Sequence, residues 1–425
     1  MLIKEVLLRQ KREMETLLAK PYVLRARAGY ADRFAKDEVV KVVTGPRRAG
    51  KSIFSLHFLS GLHPAYVNFD DESLVKLKDY DEIIKELHAC YGAAKHLLFD
   101  EIQNLPGWEL FVNRLQRQGY NITLTGSNSR LLSGELATSL TGRHVPIEIL
   151  PFSFVEFLAA ERFNWNESDL SAPEVKGRLL NLMEQHLVNG GFPEVAVKKL
   201  EPRGYLDTLM DSLILKDIVK RYSIRLPGKI YDLQIYLLNN FASECSFRKL
   251  AARLNFSSVT TLEKYIGHLK EAYLVYVLQR YSHKAAERSG APKKIYLVDN
   301  GYVAAAAVQL SPGRGRLMEN LVFGELLKAG FAPNRDLFYY KTRNGREVDF
   351  ALRKGLKISS LVQVSYGFDA PGVKEREIKA LLEAGGELAC DKLTVVTWDY
   401  EETLDARGKE ICFIPLWKWL VENRA

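Results

Sequence analysis

Val39-Val40-Lys41-Val42-Val43-Thr44 runs directly into Gly45-Pro46-Arg47-Arg48-Ala49-Gly50-Lys51-Ser52. The first six residues form a short β-branched run, which reads as a buried strand. Gly45-Pro46 then turns the chain. From Ser52 to Leu62 the pattern is helical, ended by Gly61. The segment between strand and helix matches G-x-x-x-x-G-K-[ST] in full. The spacing has a physical reason. Two glycines let backbone N–H groups of Gly45, Pro46, Arg47, Arg48, Ala49 and Gly50 curl around a phosphate, except at Pro46, which has no N–H. The helix N-terminus adds partial positive charge. Lys51 brings a point charge to the β- and γ-phosphates, and Ser52 a hydroxyl to Mg²⁺.

Working outward, strands alternate with helices of about ten residues. Ala65–Phe69 reads as a second strand, followed by Asp70-Asp71-Glu72. His96–Phe99 is a third strand ending in Asp100-Glu101, and Asn121–Thr125 a fourth ending in Gly126-Ser127-Asn128. This alternation predicts a parallel sheet with helices on both faces. A phosphate loop needs an acidic partner on a neighbouring strand. Asp100 fits as the residue holding Mg²⁺, and Glu101 as the residue that orients or deprotonates the attacking water. Asn128, or Ser127 beside it, is placed to position that water or sense the γ-phosphate. Arg143 is a candidate arginine finger, acting in its own chain or across a subunit interface.

Composition sets bounds. The chain has 425 residues, enough for two to four domains. Hydrophobic residues make up 47% and charged residues 26%, so wholesale disorder is excluded. No apolar run is long enough for a membrane span, and Met1–Lys20 lacks a secretory core; a cytoplasmic protein with no membrane partner is expected. The four cysteines show no metal-ligand spacing. A net charge of +8 permits nucleic-acid binding without requiring it.

Further segments carry a resemblance. They are Thr44–Ser52, Tyr66–Glu72, Leu98–Gln103, Leu124–Ser129, Leu140-Thr-Gly-Arg143, Leu150–Phe157 and Gly190-Gly-Phe-Pro-Glu194. Together they resemble a family of uncharacterised archaeal and bacterial ATPases of the AAA+ superfamily, close to its STAND-like signalling branch. The resemblance implies ATP and Mg²⁺ as cofactors, Arg143 as a finger residue, and a homo-oligomer. It also implies that Asp70, Asp71 and Glu72 lie near the nucleotide or its interface.

Beyond Pro151 the alternation stops. Residues 152–238 read as largely helical. Ser246–Gln279 reads as helix, turn, helix and strand, and resembles a winged helix-turn-helix. In that reading Thr260–Lys270 is the recognition helix, with Thr260, Thr261, Lys264 and His268 facing a groove and Tyr281–Lys294 as the wing. Residues 240–320 hold twelve Lys/Arg against six Asp/Glu, most of the chain's surplus. In the C-terminal region the order is helix, strand, carboxylate-bearing strand, strand. That is the layout of a restriction-endonuclease-like core. Asp349 fits its first carboxylate and Glu319, or Glu325, the helix carboxylate. The last strand departs from the pattern: Gln363-Val364-Ser365 stands where E-x-K is needed, so a fold without cleavage is expected. Lys341 is a conceivable substitute base.

The expected architecture is an N-terminal helix (1–30), a P-loop α/β parallel-sheet core (31–160), a helical lid (161–238), a winged helix (239–300) and a degenerate nuclease-like α/β domain (301–425). The expected function is ATP binding and hydrolysis coupled to DNA through the last two domains. The alternatives are a STAND-like switch or protein-remodelling ATPase with a protein partner, and an ATP-dependent nuclease or DNA motor.

Overall fold

In a computed structural model the structure describes residues 3–77, 79–127, 142–305, 313–368 and 371–422. The chain divides into two compact units. One holds Met1–Pro151 with the short piece Glu271–Tyr273, and the other holds the remainder.

The first unit is built on a five-stranded sheet: β1 (Val40–Thr44), β2 (Ala65–Asn68), β3 (His96–Asp100), β4 (Asn121–Gly126) and β5 (His144–Glu148). The order is β2-β3-β4-β1-β5 and every pairing is parallel, as the strand–helix alternation predicts. β1 and β4 are buried along their whole length, which is why their sequences read as apolar runs rather than alternations. One face packs Val40, Val42, Val67, Phe99, Phe111 and Leu124 together. On the other face, Val43, Phe54 and Ile147 form one cluster, and Leu56, Tyr66 and Leu98 another. The N-terminal helix is Ile3–Leu18, shorter than the residues 1–30 expected, because Pro21 cannot continue it. Its Gln10 side chain donates to the Asn68 carbonyl at 2.9 Å and accepts from the Asn68 N–H at 3.0 Å. β2 is a sheet edge, and this exchange satisfies backbone groups that would otherwise stand open.

Strand order positions the site. β4 lies between β1, which feeds the phosphate loop, and β3, which ends in Asp100. All the C-terminal strand ends share one edge of the sheet.

The second unit begins with helices Phe154–Ala160, Pro173–Asn189, Pro193–Lys198, Pro202–Ser212 and Pro227–Asn239, with a π-helical turn Leu213–Lys220. Four of them open on proline, whose missing N–H costs nothing in the first turn. A three-stranded antiparallel sheet follows: β6 (Ser243–Cys245), β7 (Val275–Gln279) and β8 (Lys293–Leu297), in the order β6-β8-β7. Helices Phe247–Arg253 and Val259–Glu271 lie between β6 and β7 in sequence. The last sheet has six strands: β9 (Leu337–Lys341), β10 (Glu347–Lys354), β11 (Lys357–Ser365), β12 (Leu393–Thr397), β13 (Glu402–Ala406) and β14 (Lys409–Pro415). Its order is β13-β14-β12-β11-β10-β9. β9, β10 and β11 pair antiparallel, while β12 joins β11 in parallel after the helix Val373–Glu387. The helix Arg314–Lys328 precedes them and is buried continuously from Leu317 to Leu327.

Candidate active site

The phosphate loop bridges β1 and the helix Lys51–Leu59. Gly50 takes φ 90°, in the left-handed region, and Gly45 takes φ 143°. A Cβ on Gly45 would lie 2.0 Å from the Ile149 carbonyl oxygen, so no side chain fits there. Arg48 also takes a left-handed φ of 64°. The Lys51 side chain is buried, and its ammonium donates to the Pro46 carbonyl at 2.9 Å, across the mouth of the loop. Arg25 reaches the loop from outside the motif. It is buried, donates to the Ala49 carbonyl at 2.9 Å, and donates to the Leu150 carbonyl as well.

Asp100 is the centre of the site. Its carboxylate is buried and accepts from Ser52 Oγ at 3.0 Å, from Tyr66 OH at 3.0 Å, and from Thr125 Oγ1. Burial and the neighbouring Glu101 charge push the Asp100 carboxyl above its ordinary range, and the three hydrogen bonds pull it back. Glu101 takes a left-handed φ of 51°; its N–H donates to Thr125 Oγ1 at 3.2 Å, and its carboxylate accepts from the Gln103 amide. Ser127 follows β4 with its hydroxyl buried and without a hydrogen-bond partner. Asn128 lies outside the described residues. A glycine cradle, a buried ammonium, a Ser–Asp pair and an orphaned hydroxyl share one sheet edge. This donor set fits a nucleotide phosphate with Mg²⁺, held by Ser52 and Asp100.

Arg143 does not stand beside the phosphate loop of its own chain. Its carbonyl accepts from the Val40 N–H at 2.9 Å, at the start of β1. His144 pairs with Val40 and Glu148 with Thr44, so Arg143 precedes β5 at the opposite sheet end, about 13 Å along the strand. Its backbone stands at the sheet end remote from its own phosphate loop. Its side chain is exposed. Of the acidic turn, Asp71 caps the helix Glu72–Val75 and pairs with Arg9, Asp70 accepts from Asn104, and Glu72 pairs with Lys76.

In the second unit, Thr260 and Lys264 are exposed on the helix Val259–Glu271, and Thr261 is half-buried. His268 is not exposed with them. It is buried and stacks on Tyr222 with ring centroids 3.8 Å apart. Four residues on from Lys264 it lies only about 40° round the helix, so its burial comes from the packing of Tyr222 against it and not from helical phase.

Glu319, Asp349 and Gln363 do come together, around a residue the sequence reading passed over. Lys294, on β8, is 1% exposed and lies 2.8 Å from Glu319, 2.7 Å from Glu347 and 2.9 Å from Asp349. Asp349 also accepts from the Val364 N–H at 3.0 Å, and its own N–H donates to Gln363 Oε1 at 3.2 Å. Tyr296 donates to Glu319 at 2.6 Å. Burial works against the Lys294 charge, but Asp349, Glu319, Tyr296 and Glu347 together hold its ammonium well above the ordinary lysine range. Burial and Asp349 push Glu319 up to about 7, against the pull of Lys294. Lys341 stands opposite Glu347 in the β9–β10 register, but its ammonium pairs with Glu244 at 2.8 Å. Glu325 lies elsewhere, accepting from Phe154 N–H and Lys328.

Arg25, Tyr66, Thr125 and Lys294 are the residues the sequence reading missed. The signal for two of them was parity. Thr125 is the last side chain of a strand that had to lie beside Asp100. Lys294 shares a strand face with Tyr296, two residues on.

Residues 37–158 match the AAA domain family. Residues 180–312 and 314–419 match two domains of unknown function, DUF8612 and DUF4143. Fold and site together define the N-terminal unit as a P-loop ATPase domain of the AAA type. The uncharacterized protein MJ1544 of Methanocaldococcus jannaschii is 37% identical over 399 residues, 89% of this chain and 88% of that protein. An uncharacterized protein of Haemophilus influenzae is 29% identical over 404 residues, 91% of this chain and 95% of that protein. The chain belongs to the family of uncharacterized proteins that includes MJ1544. Among solved structures, the Walker-type ATPase PABY2304 of Pyrococcus abyssi is similar at 16% identity and a TM-score of 0.40, over 69% of this chain and 99% of that one. Among the described residues no helix is long and apolar enough to cross a membrane.

Proposed function

We propose that this chain hydrolyses ATP with Mg²⁺ and couples the nucleotide state to DNA. The observation that carries the first half is Asp100, fixed by Ser52, Thr125 and Tyr66 directly beside the phosphate loop. When bound, Mg²⁺ supplies charge neutralisation between the β- and γ-phosphates. Lys51 exchanges the Pro46 carbonyl for phosphate oxygens. Glu101 releases Gln103 and takes the proton of the attacking water. Ser127 donates its hydroxyl to the γ-phosphate or that water, with Asn128 after it. Arg143, exposed and remote from its own loop, acts on a neighbouring copy, which makes the working form a homo-oligomer.

DNA contact is supported by the β6-β8-β7 sheet with its helix pair, the strand order of a winged helix. It is also supported by exposed Arg248, Lys249, Arg253, Lys264 and Lys270. The six-stranded sheet has the connectivity of a nuclease-like core, and a domain that binds without cutting suits a site with Gln363 and Ser365 in place of acid and base.

The test is a steady-state ATPase assay with and without single-stranded, duplex and four-way-junction DNA. Lys51→Ala and Glu101→Gln should each lower turnover by about 10²–10⁴-fold. DNA should stimulate the wild type. Turnover that survives both substitutions would sink the active-site assignment. Turnover indifferent to every DNA would move the reading to a signalling switch or protein remodeller.

A further inference from the structure

The carboxylate cluster of the C-terminal sheet holds a cation of its own. Glu319 comes from the helix Arg314–Lys328, and Glu347 and Asp349 share one face of β10, two residues apart. An ammonium has three N–H donors. Lys294 gives each carboxylate a contact of 2.7–2.9 Å, so all three acids are served by one nitrogen. The surroundings fix the acids in turn: Tyr296 holds Glu319, and the Val364 N–H holds Asp349. The lysine stem is fixed too. Lys294 pairs with Glu244 on β6 and with Leu278 on β7, so it sits in the central strand of its sheet. Hard oxygen donors of this kind are what a divalent cation takes. Among the described residues, however, no group of three or more His, Cys, Asp or Glu is spaced to hold a metal ion. The acids stand at ammonium distance, a few tenths of an ångström wider than metal–oxygen contacts of about 2.1–2.6 Å.

We propose that the Glu319–Glu347–Asp349 cluster is a cation site whose resident cation is the Lys294 ammonium, so that it takes no divalent metal until that ammonium is removed. The site is reachable, because Glu347 is one-third exposed. The inference is independent of the ATPase reading, and its test contains no nucleotide.

The probe is Mn²⁺, followed by loss of the free-ion electron paramagnetic resonance signal. Wild type and Asp349→Asn should bind Mn²⁺ alike. Lys294→Met should gain one site per chain and bind at least about tenfold more tightly than wild type. Lys294→Met with Asp349→Asn should lose that site. Two buried carboxylates and a half-buried third without their cation are costly, so Lys294→Met alone can fail to fold. The second variant, Lys294→Met with Glu347→Gln, removes the half-buried acid together with the ammonium, keeps the two buried acids Glu319 and Asp349, and should still bind Mn²⁺ more tightly than wild type. Saturable wild-type binding that Asp349→Asn abolishes would overturn the proposal. So would a folded Lys294 variant that binds no more tightly than wild type.

Discussion

Lys41 is the second residue of β1, and its side chain is buried. It donates to the Asp37 carbonyl at 2.7 Å and to the Asn121 side chain. Burial pulls its pKa down to about 8, with Asp37 opposing. The unfolded chain has an ordinary lysine near 10.5, so between pH 8 and 10.5 the unfolded state binds more protons than the native state. Stability then rises with pH across that window, by up to about 1.4 kcal/mol per pH unit. The contribution is lost as pH falls through 8. Lys41→Met removes the titrating group. Urea unfolding at pH 7, 8.5 and 9.5 should therefore show wild type gaining on the variant as pH rises; a constant difference would refute it. Two other residues gain their roles from the same kind of placement. Thr125 and Tyr66 are unremarkable in a strand sequence, yet each bonds to Asp100 because β4 and β2 flank β3.

At the level of elements, the turn after the helix Pro173–Asn189 is the most demanding joint in the second unit. Gly190 takes φ 76° and ψ −169°, a region almost closed to other residues. A Cβ there would lie 1.7 Å from Asp299 Oδ1. That carboxylate accepts from the N–H groups of Gly191 and Gly301, both at 2.8 Å. Burial pushes Asp299 up to about 6 in spite of these two donors. Gly190→Ala should cost about 3 kcal/mol or more and lower the melting temperature sharply. Gly177, inside the same helix with open space around it, is the control; alanine there should be neutral or stabilising by up to about 1 kcal/mol. Equal effects at the two positions would show that the joint is not special. The same joint illustrates what sequence can supply. Two glycines after a helical stretch are a local stop signal, and the helix ends at Asn189. Nothing local in the sequence pointed to Asp299, more than a hundred residues away, as its partner.

Across the whole molecule, legibility followed the range of the interactions. The phosphate loop, Asp100 and Glu101 were readable because strand, turn and helix enforce their spacing within one stretch of chain. The parallel sheet was readable because buried strands alternate with helices. Arg25 and Lys294 were not, since each acts on groups brought close by folding alone. Counting charge placed Lys294 in a basic surplus available to DNA, whereas the fold spends it on three carboxylates. His268 failed for a related reason: a ring that looks polar in sequence is packed against Tyr222.

The Arg25 clamp bears on how far this phosphate loop is a portable module. The segment that matches the AAA domain starts at residue 37, downstream of both Arg25 and the helix whose Gln10 seals the edge of β2. Grafting or trimming at that border would carry the whole motif and leave behind the guanidinium that grips its Ala49 carbonyl. In this chain the recognisable cassette and the mechanically complete one have different ends, and recombination along the recognisable border would pass on a signature without its brace.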